Sequence, residues 1–466
     1  MKKWSCFFLA LIMGSPLMAG EFRKLGGEDR EIGYNTATSA GGVVSTKLNA
    51  TTLELGWVDV RAYGAATTAS AAANLAAFNT AIGTGNVTIV VPPGTYSIDS
   101  PGIDLKDNTT IIGIGNPTLT GTNYIMSIHR GKGGTADPSA NIKNVTIRGI
   151  TFLHTGGFSE HIHQLNANAV TNLLVEGCTF KAFRGDGIYI GSSNSAATER
   201  HNQSVFIRNN VFDGVNNDNR NGISVIDGSG VVIEGNYFKN TTKAGMPGAI
   251  DIEPDANLFA RIRNIVIQNN YITNSGQDGI SVYLPESFTI PAYGFVIANN
   301  YVDNCARWGI VYAQSNGTTP LTQSSSSHVI LIQGNSVKNC GKPFLVYGVK
   351  GASIKNNSFD NTTGTLTLGD SSYKRRSFDV DFSGNKLTRI GTNNGYSVII
   401  DGITNLTLNN NIFTDCGDGT TNGACVNFNP AFPDAIKNIT FIGNSFLKTV
   451  LANMKATVKN GARDLP

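Results

Sequence analysis

A right-handed parallel β-helix, an all-β solenoid, is the fold this sequence predicts, and three observations predict it. One phrase recurs along most of the chain, asparagines fall at one position of that phrase, and the composition suits short strands joined by tight turns. The phrase is a β-branched strand, a polar pair usually containing Asn, then an aromatic or aliphatic residue. Copies end at Phe152, Phe180, Phe212, Phe238, Ile272, Val302, Val337, Phe359, Leu387, Phe413 and Phe446. Successive copies lie 22 to 35 residues apart, inside the range that marks a solenoid.

Each repeat also holds a second short strand, as at Gly187–Ile190, Gly222–Val225 and Gly279–Val282. Alternation with period two puts Ile and Val on one face and polar residues on the other. No stretch between strands is long and amphipathic enough for a crossover helix, which excludes βαβ units. Equivalent residues must then stack about 4.8 Å apart along the axis. Asn210, Asn236, Asn270, Asn300, Asn335, Asn357, Asn385, Asn411 and Asn444 share one position and predict an amide ladder. Thr241, Ser275, Cys305, Cys340, Thr362 and Cys416 form a second column of small side chains, so these thiols read as inert packing.

Composition agrees. Of 466 residues, 53 are Gly, and charged residues make up only 15%. A coiled coil would need far more charge, and recurrent Val, Ile, Leu and Phe exclude disorder. A net charge of +3 without a basic stripe argues against nucleic acid as a partner.

In chain order, Lys2, Lys3 and the apolar run Trp4–Met13, followed by small residues to Ala19, read as a cleavable signal peptide over 1–19. The apolar run is too short for a membrane span. A secreted or periplasmic location follows as an expectation. Residues 20–56 are an extension, 57–446 the β-helix domain, and 447–466 a C-terminal cap or tail carrying Leu451, Met454 and Val458. The five cysteines beyond the leader show no metal-like spacing with His, so no metal site is expected.

The segment opening the β-helix resembles a known superfamily. Trp57–Gly64, a helix around Asn74–Ile82, and Val87–Tyr96 reproduce the order of swivel, capping helix and first rung in pectate-lyase-like β-helices. That group includes tailspike depolymerases and mannuronan C5-epimerases. Where these proteins commonly carry Gly-Asp-Gly and Thr-Asp-Asp-Thr, this chain has Ala66–Asn74. The resemblance covers about residues 57 to 446. It implies a polysaccharide partner, but the fold also hosts plain adhesins, so function must come from the site.

Aligning the second strands by their inward aliphatics stacks Ile188 and Ile190 on Ile223 and Val225, then Ile250 and Ile252, then Ile280 and Val282, then Ile310. One outward column then reads Tyr189, Ser224, Asp251, Ser281 and Val311; the next reads Gly191, Ile226, Glu253, Tyr283 and Ala313. Asp251 and Glu253 therefore share a solvent face, with Cα atoms about 6 to 7 Å apart. Asp186 and Asp278 fall just before the strand with Asn221 between them; Asp227 and Asp255 open the following turn.

Two carboxylates on one rigid face suit glycoside hydrolysis, one as acid and one as base, and an outward-splayed pair suits inversion. Asp251, Glu253 and Asp278 are the expected catalytic residues. Tyr189, Tyr283 and Trp308 are placed to stack on sugar rings, with Arg220, Arg307, Asp227, His161 and His163 as further substrate contacts. No cofactor is expected for a hydrolase. A lyase or uronate epimerase is the alternative: there Ca²⁺ or an arginine would neutralise the uronate carboxylate. Epimerases of this superfamily carry His beside the acidic-strand Asp, where this chain has Ile252-Glu253-Pro254. A non-catalytic surface adhesin is the alternative of another class. No trimerisation element is visible, which leaves a homo-oligomer open.

Overall fold

A computed structural model describes residues 38–39, 42–43, 57–128, 141–191, 201–215, 218–254, 260–285, 292–314, 322, 326–372, 375–391, 396–417, 424–429 and 436–447. The signal-peptide expectation over 1–19, the cap over 448–466 and Asp255 lie outside the described residues. The chain divides into two compact units, Met1–Leu48 and Asn49–Pro466. The first contributes an antiparallel pair, Thr38–Ser39 with Gly42–Val43.

The second unit is a parallel β-helix whose strands form three sheets of 14, 13 and 12 strands. We call these sheets A, B and C in the order the chain visits them. One turn reads Ile142–Arg148 in sheet A, Thr151–His154 in sheet B and Leu165–Asn168 in sheet C; the next returns to sheet A at Val170–Glu176. Two strands per repeat were expected and there are three, because the polar pair of the phrase is a corner that separates sheet A from sheet B. The first member of the pair has positive φ, which Gly and Asn tolerate best: Gly177 and Gly235 alternate there with Asn209 and Asn269.

The second member is the expected ladder. Asn270 Nδ2 donates to the Ile233 carbonyl at 2.9 Å and to Asn300 Oδ1 at 3.0 Å, while its own Oδ1 accepts from the Asn236 backbone N–H and Nδ2. The same bonds recur from Asn210 to Asn411, so each buried amide is satisfied by its neighbours. Inside the coil, Phe152, Phe180, Phe212 and Phe238 stack at 4.6–4.9 Å between ring centroids. Cys178, Cys305, Cys340, Cys416 and Cys425 are buried free thiols.

Helix α1, Ala71–Ile82, closes the first rung and starts three residues before the expected Asn74. Ser70 supplies the N-cap, its side chain accepting from the Ala73 N–H, and Ala77, Phe78, Ala81 and Ile82 are buried on the coil. Among the described residues no helix is long and apolar enough to cross a membrane.

Candidate functional site

Sheet C carries the candidate site, and the predicted register holds along it. Tyr189 pairs with Ser224, Ser224 with Asp251, Asp251 with Ser281, and Ser281 with Val311. Ile188, Ile223, Ile250, Ile280 and Ile310 stack inward beneath them. A second inward column precedes the isoleucines, where Gly187, Gly222, Ala249, Gly279 and Gly309 turn the corner. A Cβ at Gly279 would lie 2.5 Å from Val302 Cγ1, so the corner allows only the smallest side chains. The tight corner turns the preceding residue outward, and that residue is Asp186, Asn221, Gly248 or Asp278 on successive rungs.

Asp251 was expected in solvent. It faces outward but is fully buried, as are Asp186, Asn221, Ser224 and Ser281. Ser281 Oγ donates to Asp251 Oδ1 at 3.0 Å, and Asn221 Nδ2 donates to Oδ2 at 3.3 Å and to Ser224 Oγ at 2.9 Å. The Asn221 backbone N–H donates to Asp186 Oδ1 at 3.0 Å, so one asparagine ties the two carboxyls together. Glu253, half-buried, holds the next outward position, its N–H bonded to the Val225 carbonyl.

Burial first, and then the negative charge of Glu253, push the Asp251 pKa well above the ordinary carboxyl value. Burial likewise raises Asp186 to about 6, against the opposing pull of Arg220. Arg220 lies among them, with Nε 3.9 Å from Asp186 Oδ1 and only 13% of its side chain exposed. Burial works against its cation, but Asp186, Asp251 and Glu253 together hold its pKa above the ordinary value. His163 stacks flat on Tyr189, with ring centroids 4.4 Å apart, and burial keeps its imidazole neutral. Its Nδ1 accepts from the Asp186 N–H at 3.1 Å, so it has no proton to offer Asp186 Oδ2, 3.2 Å away.

Asp278 does not join this group. Arg307 grips it through Nε to Oδ1 at 2.7 Å and Nη2 to Oδ2, Tyr283 Oη donates to Oδ2 at 2.8 Å, and the Trp308 N–H donates to Oδ1. Its lone pairs are committed to positioning Tyr283 and Arg307. Trp308 is not a free stacking platform: it packs with Val311 and Ala313, and Lys342 Nζ lies 4.7 Å over its ring. Asp227 is turned into the sheet C to sheet A corner, where it accepts from the Asn202 and Arg261 N–H groups and meets His201 Nδ1 at 2.9 Å. Ile162 was expected inward with both histidines outward. Instead His161 is exposed on a turn, Ile162 is half-buried, and His163 is buried at the foot of the Asp186 column.

Sequence reasoning put Asp186 and Asn221 on the right column but left both outside the candidate site. The signal that could have found them was the alternation of Asp and Asn just before the corner glycine. Among the described residues no group of three or more His, Cys, Asp or Glu is gathered as a metal site.

The family described as right handed beta helix region matches residues 132–326. By fold, then, the chain is a right-handed parallel β-helix. It is similar to the A-module of a mannuronan C-5 epimerase from Azotobacter vinelandii, at 17% identity and a TM-score of 0.59 over 83% of this chain and 98% of that one. A family 28 exopolygalacturonase from Yersinia enterocolitica matches at 14% and 0.59, over 83% and 78%. The catalytic unit of a thermostable α-1,3-glucanase from Streptomyces thermodiastaticus matches at 15% and 0.61, over 85% and 70%. At such identities the likeness is one of fold. No curated protein matches the chain.

Proposed function

We propose that this chain is an exported β-helix enzyme that binds a polysaccharide along the outer face of sheet C and hydrolyses it. Asp251 is the general acid and Glu253 the base that activates water. The buried, outward-facing carboxyl of Asp251 carries this reading, because its surroundings favour the protonated form that an acid needs at neutral pH. The two residues stand at i and i+2 with Cα atoms about 6 to 7 Å apart, a spacing that suits inversion. Arg220 orients Asp186 and Asp251, while Tyr189 and Tyr283 flank them on the outward columns of the same sheet. No step needs a metal.

The test is incubation with panels of neutral and acidic polysaccharides, following reducing ends together with absorbance near 235 nm. New reducing ends without ultraviolet absorbance are expected. Ultraviolet absorbance would replace hydrolysis by β-elimination, with Arg220 in the role of neutralising a uronate. Binding without either signal would make the chain an adhesin.

A further inference from the structure

The outer face of sheet A carries a feature that the candidate site on sheet C does not use. One outward column there reads Leu174, Phe206, Val232, Val266, Val296 and Leu331 on six successive rungs. All six are only half-buried. Strand side chains alternate between the core and solvent, so this position should be polar; on the flanking rungs it is, with Thr110 and Thr146 on one side and Ser353 and Asp381 on the other. Five steps of about 4.8 Å make an apolar stripe about 24 Å long. Its first two members help floor a groove of about 530 Å³, walled by the Asn108, Asn144 and Asn172 amides and by Arg208.

We propose that this stripe is where copies of the chain meet, face to face across sheet A. Part of the charge beside it is already paired within one chain. Glu176 is held by Arg148 at 3.0 Å and Arg208 at 2.8 Å, Glu234 accepts from Gln268 Nε2 at 2.8 Å, and the Arg263 guanidinium lies 5.2 Å over the Tyr293 ring. These groups lie towards the strand ends, at the rim of the stripe, so a second copy can cover its apolar centre without burying them. Folding the stripe against itself also sets apolar rungs on apolar rungs. A polysaccharide fits the stripe worse, since its six side chains offer one aromatic ring and no hydrogen-bonding group. Area agrees. The six rungs project about 400 Å², and the whole outer face from Thr88 to Thr440 about 900 Å², near the ~800 Å² per partner of a stable interface with an apolar centre and polar rim.

Sedimentation velocity and light scattering on the full chain from about 1 to 100 μM test this. A dimer or larger closed oligomer is expected, and Val232→Lys and Val266→Lys should weaken association at least tenfold. Thr273→Lys, on the outer face of sheet B, should leave it unchanged. A monomeric wild type at every concentration, or lysine variants that assemble like the wild type, would overturn the proposal. Should the lysine variants fail to melt like the wild type, Val232→Cys and Val266→Cys proteins under mild oxidation decide instead. Interchain disulfides support the contact, and their absence refutes it.

Discussion

The asparagine ladder and the acidic rungs of sheet C are both polar, both buried and 11 to 15 residues apart on each turn, yet they obey opposite rules. Asn270 has the same neighbours as Asn236 and Asn300, every donor and acceptor is met, and nothing in the column is charged. Asp186, Asp251, Glu253 and Arg220 occur on three successive rungs; on the next, Asp278 is paired with Arg307, and the rung above that carries Val311 and Trp308. Burial there leaves carboxyls that resist ionisation rather than a satisfied network. A solenoid supplies stability by repeating a solution, so a costly set of groups that does not repeat marks a place where stability is not the purpose.

The largest expected effect breaks the acidic side of this contrast. Asp251→Asn keeps the shape and can still accept from Ser281, but it cannot transfer a proton. Hydrolysis, once the substrate is found, should fall 10³- to 10⁴-fold, about 4 to 5.5 kcal/mol on the barrier, with an unchanged melting curve or a slightly raised one. Glu253→Gln should lose a similar factor. Reducing-end assays beside thermal melts read both; full activity in Asp251→Asn would move the chemistry elsewhere.

The ladder side breaks differently. Asn270→Ala removes two donors and an acceptor from a closed chain of bonds. The Ile233 carbonyl loses this donor, the Asn236 N–H loses its acceptor, and Asn236 Nδ2 is left with its bond to the Ile207 carbonyl, all away from water. A loss of about 3 kcal/mol in unfolding free energy is expected, with catalysis per folded molecule unaltered. Denaturant titration measures the first and an activity assay the second. A loss below about 1 kcal/mol would mean that the ladder follows the fold rather than supporting it.

How much of this could be read in the sequence follows the same division. Repetition made the fold legible: the spacing of Phe and Asn located the corners, and the inward Ile and Val residues fixed the sheet C register that places Asp251 opposite Ser224 and Ser281. The polar pair concealed a third sheet, because an αL residue between two short strands leaves their alternation nearly in phase. The site was legible only as a column. That Asp278 is gripped by Arg307, that Lys342 covers Trp308, and that Asp227 turns towards His201 depend on side chains from rungs about 30 residues away. No local pattern announces those directions. Asp251 was expected solvated for the same reason, since outward on a strand does not mean exposed once Arg220, Asn221 and Glu253 crowd it.

A smaller effect sharpens the comparison through pH. Asp186 titrates at about 6 in the folded chain, above its ordinary value near 4. Its protonated form is therefore favoured by folding. That contribution is fully present below about pH 4 and is lost as pH rises through about 6. Relative to Asp186→Asn, the wild type should lose up to about 3 kcal/mol of stability across that window; Asp251 is common to both proteins and drops out of the difference. Parallel denaturant titrations from pH 4 to 7 decide this. A difference that grew with rising pH in favour of the wild type would show that Arg220 dominates Asp186. Asn270→Ala, with no titratable group in its column, should stay parallel to the wild type throughout.

The smallest effect lies where the repeat is most permissive. Cys340 stacks on Cys305, which pairs with Ser275, so one column already accepts either a thiol or a hydroxyl. Ser275 Oγ donates to the Asp278 carbonyl at 2.6 Å, and Cys340 Sγ already donates to the Lys338 carbonyl at 3.2 Å. Cys340→Ser should therefore keep a bond in place of the lost sulfur packing and cost under about 1 kcal/mol by denaturant titration. Ser281→Cys makes the reverse exchange beside Asp251 and replaces a strong donor to Oδ1 with a weak one. Its melting curve should hardly move, but the acid should become harder still to ionise, so the alkaline limb of the activity profile should shift to higher pH. Two exchanges of one atom, one silent and one visible only in the pH profile, would separate a position that serves the coil from one that serves the chemistry.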